Sequence, residues 1–241
     1  MKTIKNLILT GSLIASSLLG NSQNHKLLIY GESDHMSEKQ KNFMTNSIDS
    51  LKEQGYNYFA IELPVKCDSS IQNYLTSNKN YQDKNIEKLL EWWPSKGALE
   101  IAYNFYKKGF KVVPIDEGKS FYFVNSNFFT PIIKNSKREI NNERDFYMAK
   151  NIEKILEKDS SAKIIAYTGA FHAREIKEKQ KLRNKKGDYT AVYKYPTMAG
   201  ILKKKGFNPE TICLIDKKNN GYLDLRKEKL NKYLDKVIYV K

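Results

Sequence analysis

The chain has 241 residues, with 42 lysines and arginines against 27 aspartates and glutamates, and a formal net charge of +15. That length suits one α/β domain with a substantial core and is short for two. Two cysteines, Cys67 and Cys213, exclude a disulfide-dense scaffold and read as separate thiols.

Met1-Lys-Thr-Ile-Lys5 is followed by an apolar stretch, 6–19, and then by Gly20-Asn-Ser22. This is the layout of a secretory signal peptide over residues 1–22, and its apolar part is short for a bilayer span. Cleavage is expected between Ser22 and Gln23. The mature chain, 23–241, is then an exported protein, periplasmic or secreted, with no stable membrane span.

Lys26-Leu-Leu-Ile-Tyr-Gly-Glu32-Ser-Asp-His35 reads as a strand, a glycine, then a Glu and a His. Ser37-x-x-Gln40 has the form of a capping box. It opens a helix with Met44, Ile48 and Leu51 as its buried stripe and Gly55 at its end. A second strand is expected over 56–63 and carries Glu62. Residues 64–84 are polar and poorly periodic and read as a loop or lid. Ile86, Leu89, Leu90 and Trp93 mark a short helix, which Pro94 and Ser95 interrupt before another over 98–108. A third strand, 110–116, ends in Asp116.

Residues 117–135 carry Phe121, Tyr122, Phe123, Phe128 and Phe129, as a loop packed on the domain or the wall of an apolar pocket. A long helix is expected from about residue 135 to 159. Ala162-Lys-Ile-Ile-Ala-Tyr-Thr-Gly169-Ala-Phe-His172 then repeats the first design as a fourth strand. Basic, structureless residues follow to Pro196. A helix over 197–205 closed by Gly206, a strand over 210–215, a helix near 223–235 and a last strand over 237–240 complete the chain. Short β-rich runs alternating with helical patterns indicate an α/β fold, a single domain with a mostly parallel sheet flanked by helices. Ligands bind such sheets beyond the carboxyl ends of the strands.

Only three histidines occur, and two of them follow strand–glycine junctions. Gly31 and Gly169 read as residues that let the backbone turn sharply. With the four strands parallel, His35 and His172 converge with Glu32, Glu62 and Asp116 on one rim. That is the material of general acid–base chemistry or of a metal site formed by Glu32, His35, Glu62 and His172. The long helix adds Arg144 and Asp145 one turn before Met148 and Ala149, on its apolar face. Charges placed there need a polar destination. Either they form a structural ion pair at the rim, or Arg144 orients Glu62 or Asp116 or holds an anionic substrate group.

The positive charge admits a polyanionic partner. The lysines are scattered, however, and no nucleic-acid motif accompanies them. A solvated lysine-rich surface is the reading adopted, and nucleic acid is not an expected partner.

Taken in order, Gly31-Glu32-x-x-His35, Glu62, Arg144-Asp145-x-x-Met148-Ala149-x-x-Ile152 and Gly169-x-x-His172 resemble the erythromycin esterase-like and ChaN-like superfamily, whose relatives include Tiki-type proteases and haem-uptake proteins. Thr197-Met-Ala-Gly200-x-Leu202 resembles the segment after the second histidine in the esterase branch. The resemblance implies an α/β fold with this rim as its site, and leaves esterase, metal-dependent protease and haem binder open. The chain is shorter than the esterases and lacks their helical insertions, which speaks against a macrolide substrate.

Two expectations follow. The first is a hydrolase that activates water at Glu32, His35, Glu62 and His172, with or without a divalent metal, on an ester or amide of a small-molecule or peptide substrate. The sequence has no G-x-S-x-G elbow for a serine nucleophile. The alternative is an exported haem- or metal-binding protein without catalysis, since His and Tyr are haem ligands and sixteen tyrosines are present.

Overall fold

A computed structural model describes residues 25–35, 37–91, 93–117, 143–177, 195–216 and 233–240, with the strand backbones of Leu7–Ile8, Ser136–Ile140, Gln180–Arg183 and Tyr189–Tyr193. Six parallel strands form one open sheet: β1 (Leu27–Glu32), β2 (Tyr58–Pro64), β3 (Lys111–Asp116), β4 (Ile164–Gly169), β5 (Glu210–Asp216) and β6 (Lys236–Val240). Their order is β6-β5-β1-β4-β2-β3, and Leu7–Ile8 pairs in parallel outside β6. β4 is therefore inserted between β1 and β2, in register with both.

The strands are continuous apolar runs because both faces of the sheet are covered. In β4 every residue from Ile164 to Gly169 is buried. Pro114 in β3 is tolerated because β3 lies at the sheet edge.

From β1 the chain moves outward to β2 and β3, then returns through β4 to β5 and β6. Crossovers of constant right hand place the helices of the two legs on opposite faces. On the first face lie α1 (Glu38–Asn46), α2 (Ile48–Glu53), α3 (Asp68–Thr76), α4 (Lys84–Glu91) and α5 (Trp93–Lys107). Met44, Leu51, Ile71, Leu75, Ile86 and Phe105 from these helices pack against Leu28, Tyr30, Phe59 and Ile61. Phe59 and Phe105 stack with centroids 3.8 Å apart. On the second face lie α6 (Arg144–Lys158) and α7 (Met198–Lys204). Met148, Ile152, Met198 and Leu202 cover Leu27, Ile29, Ala60 and Ala166 there.

Several local expectations are corrected. Residues 64–84 are a loop only over 77–83: before it a 3-10 turn, Val65–Cys67, leads into α3, whose Ile71, Tyr74 and Leu75 are buried at helical spacing. Pro94 does not interrupt a helix, because α5 starts at Trp93 and the proline lies in its first turn. The long helix does not begin near residue 135. Ser136–Ile140 is a strand pairing with Tyr189–Tyr193, and α6 opens at Arg144. The residues after His172 are not structureless, since Gln180–Arg183 and Tyr189–Tyr193 pair antiparallel.

The expected helix of residues 37 to 54 is broken at Ser47, whose Oγ hydrogen-bonds the Phe43 carbonyl. Gly55, with φ of +84°, follows it. Gly31 and Gly169 are strand residues and not turns. A Cβ on Gly31 would lie 2.7 Å from Ala173 Cβ and 2.8 Å from Ala170 Cα, so Gly31 permits close backbone approach. The aromatic segment 118–135, most of the expected helix near 223–235, and residues 1–22 apart from Leu7–Ile8 lie outside the described residues.

Candidate functional site

The site is built where β1, β2, β3 and β4 end together. Glu32 closes β1 and Asp116 closes β3. Glu62 lies in an irregularity of β2: Ile61 pairs with Pro114 and Pro64 with Asp116, so Glu62 and Leu63 together oppose Ile115. Such a bulge re-aims side chains next to functional sites. Gly169 closes β4, and His172 follows one turn later, its N–H bonded to the Gly169 carbonyl.

Arg144 holds the carboxylates of two strand ends. Its Nη2 is 2.7 Å from Glu62 Oε1 and 2.5 Å from Asp116 Oδ2, and its Nε is 3.1 Å from Asp116 Oδ1. The grip on the fully buried Asp116 is bidentate. Glu62 Oε2 accepts the Gly169 N–H at 2.7 Å. Burial disfavours the Glu62 charge, but His172 and Arg144 outweigh it and hold its pKa well below the usual range.

The two imidazoles are anchored alike. His172 Nδ1 is 3.0 Å from Asp145 Oδ1, and His172 Nε2 is 3.5 Å from Glu62 Oε1. Asp145, fully buried, also accepts the Met198 N–H at 2.5 Å, at the start of α7. Asp145 Oδ2 has no hydrogen-bond partner among the described residues. His35 Nδ1 is 2.5 Å from Glu32 Oε1, while the Tyr167 hydroxyl donates to Glu32 Oε2. In each ring a carboxylate lies at hydrogen-bond distance from Nδ1, where it can accept the Nδ1–H and orient the ring. A Cβ on Gly169 would lie 3.3 Å from His35 Nε2 and 3.6 Å from Glu62 Oε2, so the bare glycine admits the ring beside Glu62.

Four carboxylates thus face Arg144 and two imidazoles, and the surplus negative charge favours protonation of the rings. Burial works against this in His172, yet Asp145 and Glu62 raise its pKa to about 10. In His35 desolvation is likewise outweighed, chiefly by Glu32, and the pKa rises to about 9. The His35 ring nevertheless keeps 49% of its side-chain surface in solvent, whereas His172 keeps 14%. His35 is the more exposed of the two rings.

The structure brings Glu32, His35, Glu62, His172, Asp116, Arg144 and Asp145 to one end of the sheet. Among the described residues no three His, Cys, Asp or Glu side chains are arranged to hold a metal ion. Tyr167, which supports Glu32, is marked in the sequence only by a phenol beside Thr168 at the end of an apolar run.

No family model and no curated protein matches this sequence. Solved structures with a similar chain path include ChaN of Campylobacter jejuni, described with cofacial haem binding: 11% identity, 83% of this chain and 85% of that one, TM-score 0.46. The type III effector HopBA1 is similar at 13% identity over 81% of this chain and 98% of that one, TM-score 0.44. RRSP, a MARTX toxin effector domain from Vibrio vulnificus CMCP6, is similar at 15% identity over 78% of this chain, TM-score 0.43. This chain spans 38% of that RRSP chain.

Proposed function

We propose that this chain is a hydrolase-like protein that cleaves an ester or amide with water activated at the rim. The observation that carries the reading is the pair of imidazoles, each oriented through Nδ1 by its own carboxylate, on either side of Gly169 and Glu62. In this reading neutral His35 accepts a proton from water at Nε2, and the resulting hydroxide attacks the carbonyl carbon. Glu32, fixed by Tyr167, stabilises the imidazolium that forms. His172, protonated between Asp145 and Glu62, donates its Nε2 proton to the leaving group.

The two perturbed pKa values set the test. His35 must be neutral and His172 protonated, so the rate rises through about 9 and falls through about 10. A pH–rate profile on p-nitrophenyl esters and short peptide amides measures this. A profile flat from pH 6 to 10 with an active enzyme removes His35 as the base.

Non-catalytic ligand binding is the second reading, favoured by His35 Nε2, which bears no hydrogen bond among the described residues and lies on a half-exposed ring. The described rim is charged, a setting for a hydrated cation or polar group more than for the apolar face of a haem. A divalent metal drawn to Glu62 would compete with the Arg144 guanidinium for the same oxygen. Haemin titration followed in the visible range, with ester turnover measured in parallel, separates the readings.

Export is proposed from residues 1–22 alone. N-terminal sequencing of protein from its host is expected to begin near Gln23, and recovery of Met1 overturns the proposal. Among the described residues no helix is long and apolar enough to cross a membrane.

A further inference from the structure

We infer that Gln40 is a positioning residue for His35, clasping the turn between β1 and α1 from inside the protein. The inference rests on the proposed role of His35.

Gln40 is fully buried although it lies in the first turn of α1. Its Oε1 accepts the Asp34 backbone N–H at 3.4 Å, and its Nε2 donates to Ser33 Oγ at 2.8 Å. The Asp34 N–H can only donate, so it fixes which end of the amide is the oxygen. In a capping box the fourth residue reaches back to the backbone N–H of the cap. Here the cap half is present, with Ser37 Oγ accepting the Gln40 N–H at 3.4 Å. The return arm instead reaches past Ser37 to the two residues that precede His35.

Further ties hold both ends of the turn. The Ser33 N–H donates to the Leu214 carbonyl of β5 at 3.1 Å. The Ser37 hydroxyl donates to Asp216 Oδ2, at the end of the same strand, at 2.9 Å. Lys39 Nζ lies 3.6 Å from Asp216 Oδ1. His35 is thus suspended between two anchored points. Its own ring is half exposed and, among the described residues, held by one side-chain bond to Glu32, so the turn has a large share in setting its position. Misplacing a reacting group by about 1 Å can cost about 100-fold in rate.

Gln40→Leu keeps the bulk and removes both bonds, while Gln40→Glu keeps the acceptor for Asp34 and lets the Ser33 hydroxyl donate to it. The histidine titration read by NMR reports the His35–Glu32 contact without any substrate; Glu62 and His172 also face His35 and are unchanged in these variants. With folding checked by circular dichroism, Gln40→Leu is expected to lower the His35 midpoint by about one pH unit toward its ordinary value near 6.5. On a turned-over ester it lowers kcat about 10- to 100-fold and leaves KM within about twofold. Gln40→Glu, which keeps the acceptor for Asp34 but adds a buried carboxylate, is expected to keep turnover near wild type and not to lower the His35 midpoint. Should Gln40→Leu fail to fold, Ser33→Ala, which removes one bond, is expected to move the midpoint in the same direction.

An unchanged midpoint in Gln40→Leu, or in Ser33→Ala where that variant stands in, overturns the inference. So does an equal loss in Gln40→Glu, which would mean that the amide only fills space. If the wild-type protein turns over no ester or amide, the hydrolase reading fails while the titration still decides the role of Gln40.

Discussion

Asp145 and His172, 27 residues apart in the chain, meet with Asp145 Oδ1 3.0 Å from His172 Nδ1, and the same oxygen accepts the first N–H of α7. One buried carboxylate therefore joins α6, α7 and the turn after β4. The N-terminal end of a helix favours negative charge, and the His172 imidazole supplies a positive charge beside Asp145 when protonated.

Replacing Asp145 by Asn tests that balance. The amide oxygen still accepts the Met198 N–H, so the fold is expected to persist while His172 loses its anionic partner. The His172 midpoint, followed by NMR, is expected to fall from about 10 toward the ordinary imidazole value. A midpoint that stays near 10 assigns the shift to Glu62 alone.

His35→Ala addresses chemistry with little effect on stability. The ring is half exposed and buries little apolar surface. Turnover is expected to drop by about 100- to 10,000-fold, the usual cost of a lost general base, with the melting temperature nearly unchanged. Full activity at saturating substrate would mean that the imidazole is structural.

Arg144→Ala is expected to act on the fold. It leaves fully buried Asp116 and mostly buried Glu62 without their guanidinium. Breaking a buried pair by removing one partner costs about 3–5 kcal/mol. Urea unfolding monitored by tryptophan fluorescence measures this; a loss below about 1 kcal/mol would place the pair among the weak surface bridges.

Stability should depend on pH in a direction fixed by these shifts. His172 and His35 are raised on folding, so their contribution, small for the half-exposed His35 because solvent screens its pair with Glu32, is complete below an unfolded pKa of about 6.5. It is lost as pH rises through about 9 and about 10. Glu62 is depressed, so its contribution is present above about 4.3 and is lost as pH falls further. Thermal unfolding is expected to peak near pH 5 to 6.5 and decline on the alkaline side, a decline that His172→Gln should reduce.

The six strands and the rim were legible in the sequence for a common reason. β1, β4 and β5 are nearly unbroken apolar runs, and Glu32, Glu62, Asp116 and His172 stand at or near the strand ends, where polarity interrupts burial. α3 was hidden because Ser, Gln and Asn outnumber its three inward residues, Ile71, Tyr74 and Leu75. Ser136–Ile140 was misread because its charged residues also suit a helix, and its partner strand lies more than fifty positions away. Ser37 and Gln40 were seen as a cap, but the reach of Gln40 to Ser33 depends on how the turn folds over it. Tyr167 could be read as core; only the placement of Glu32 on the neighbouring strand reveals its hydroxyl as a support.

The position of β4 bears on how the molecule assembles. β1 and β2 do not touch one another in the sheet, because the strand that joins them is made about a hundred residues later. Until residues 164–169 arrive, β1 and the β2–β3 pair present open edges with nothing between them. Pairings this distant in sequence slow folding, and unpaired edges invite association with other chains. Gly169 and His172 arrive with that strand. The step that joins the two parts of the sheet is therefore also the step that brings Gly169 and His172 to the rim, and a chain that stops before β4 has neither.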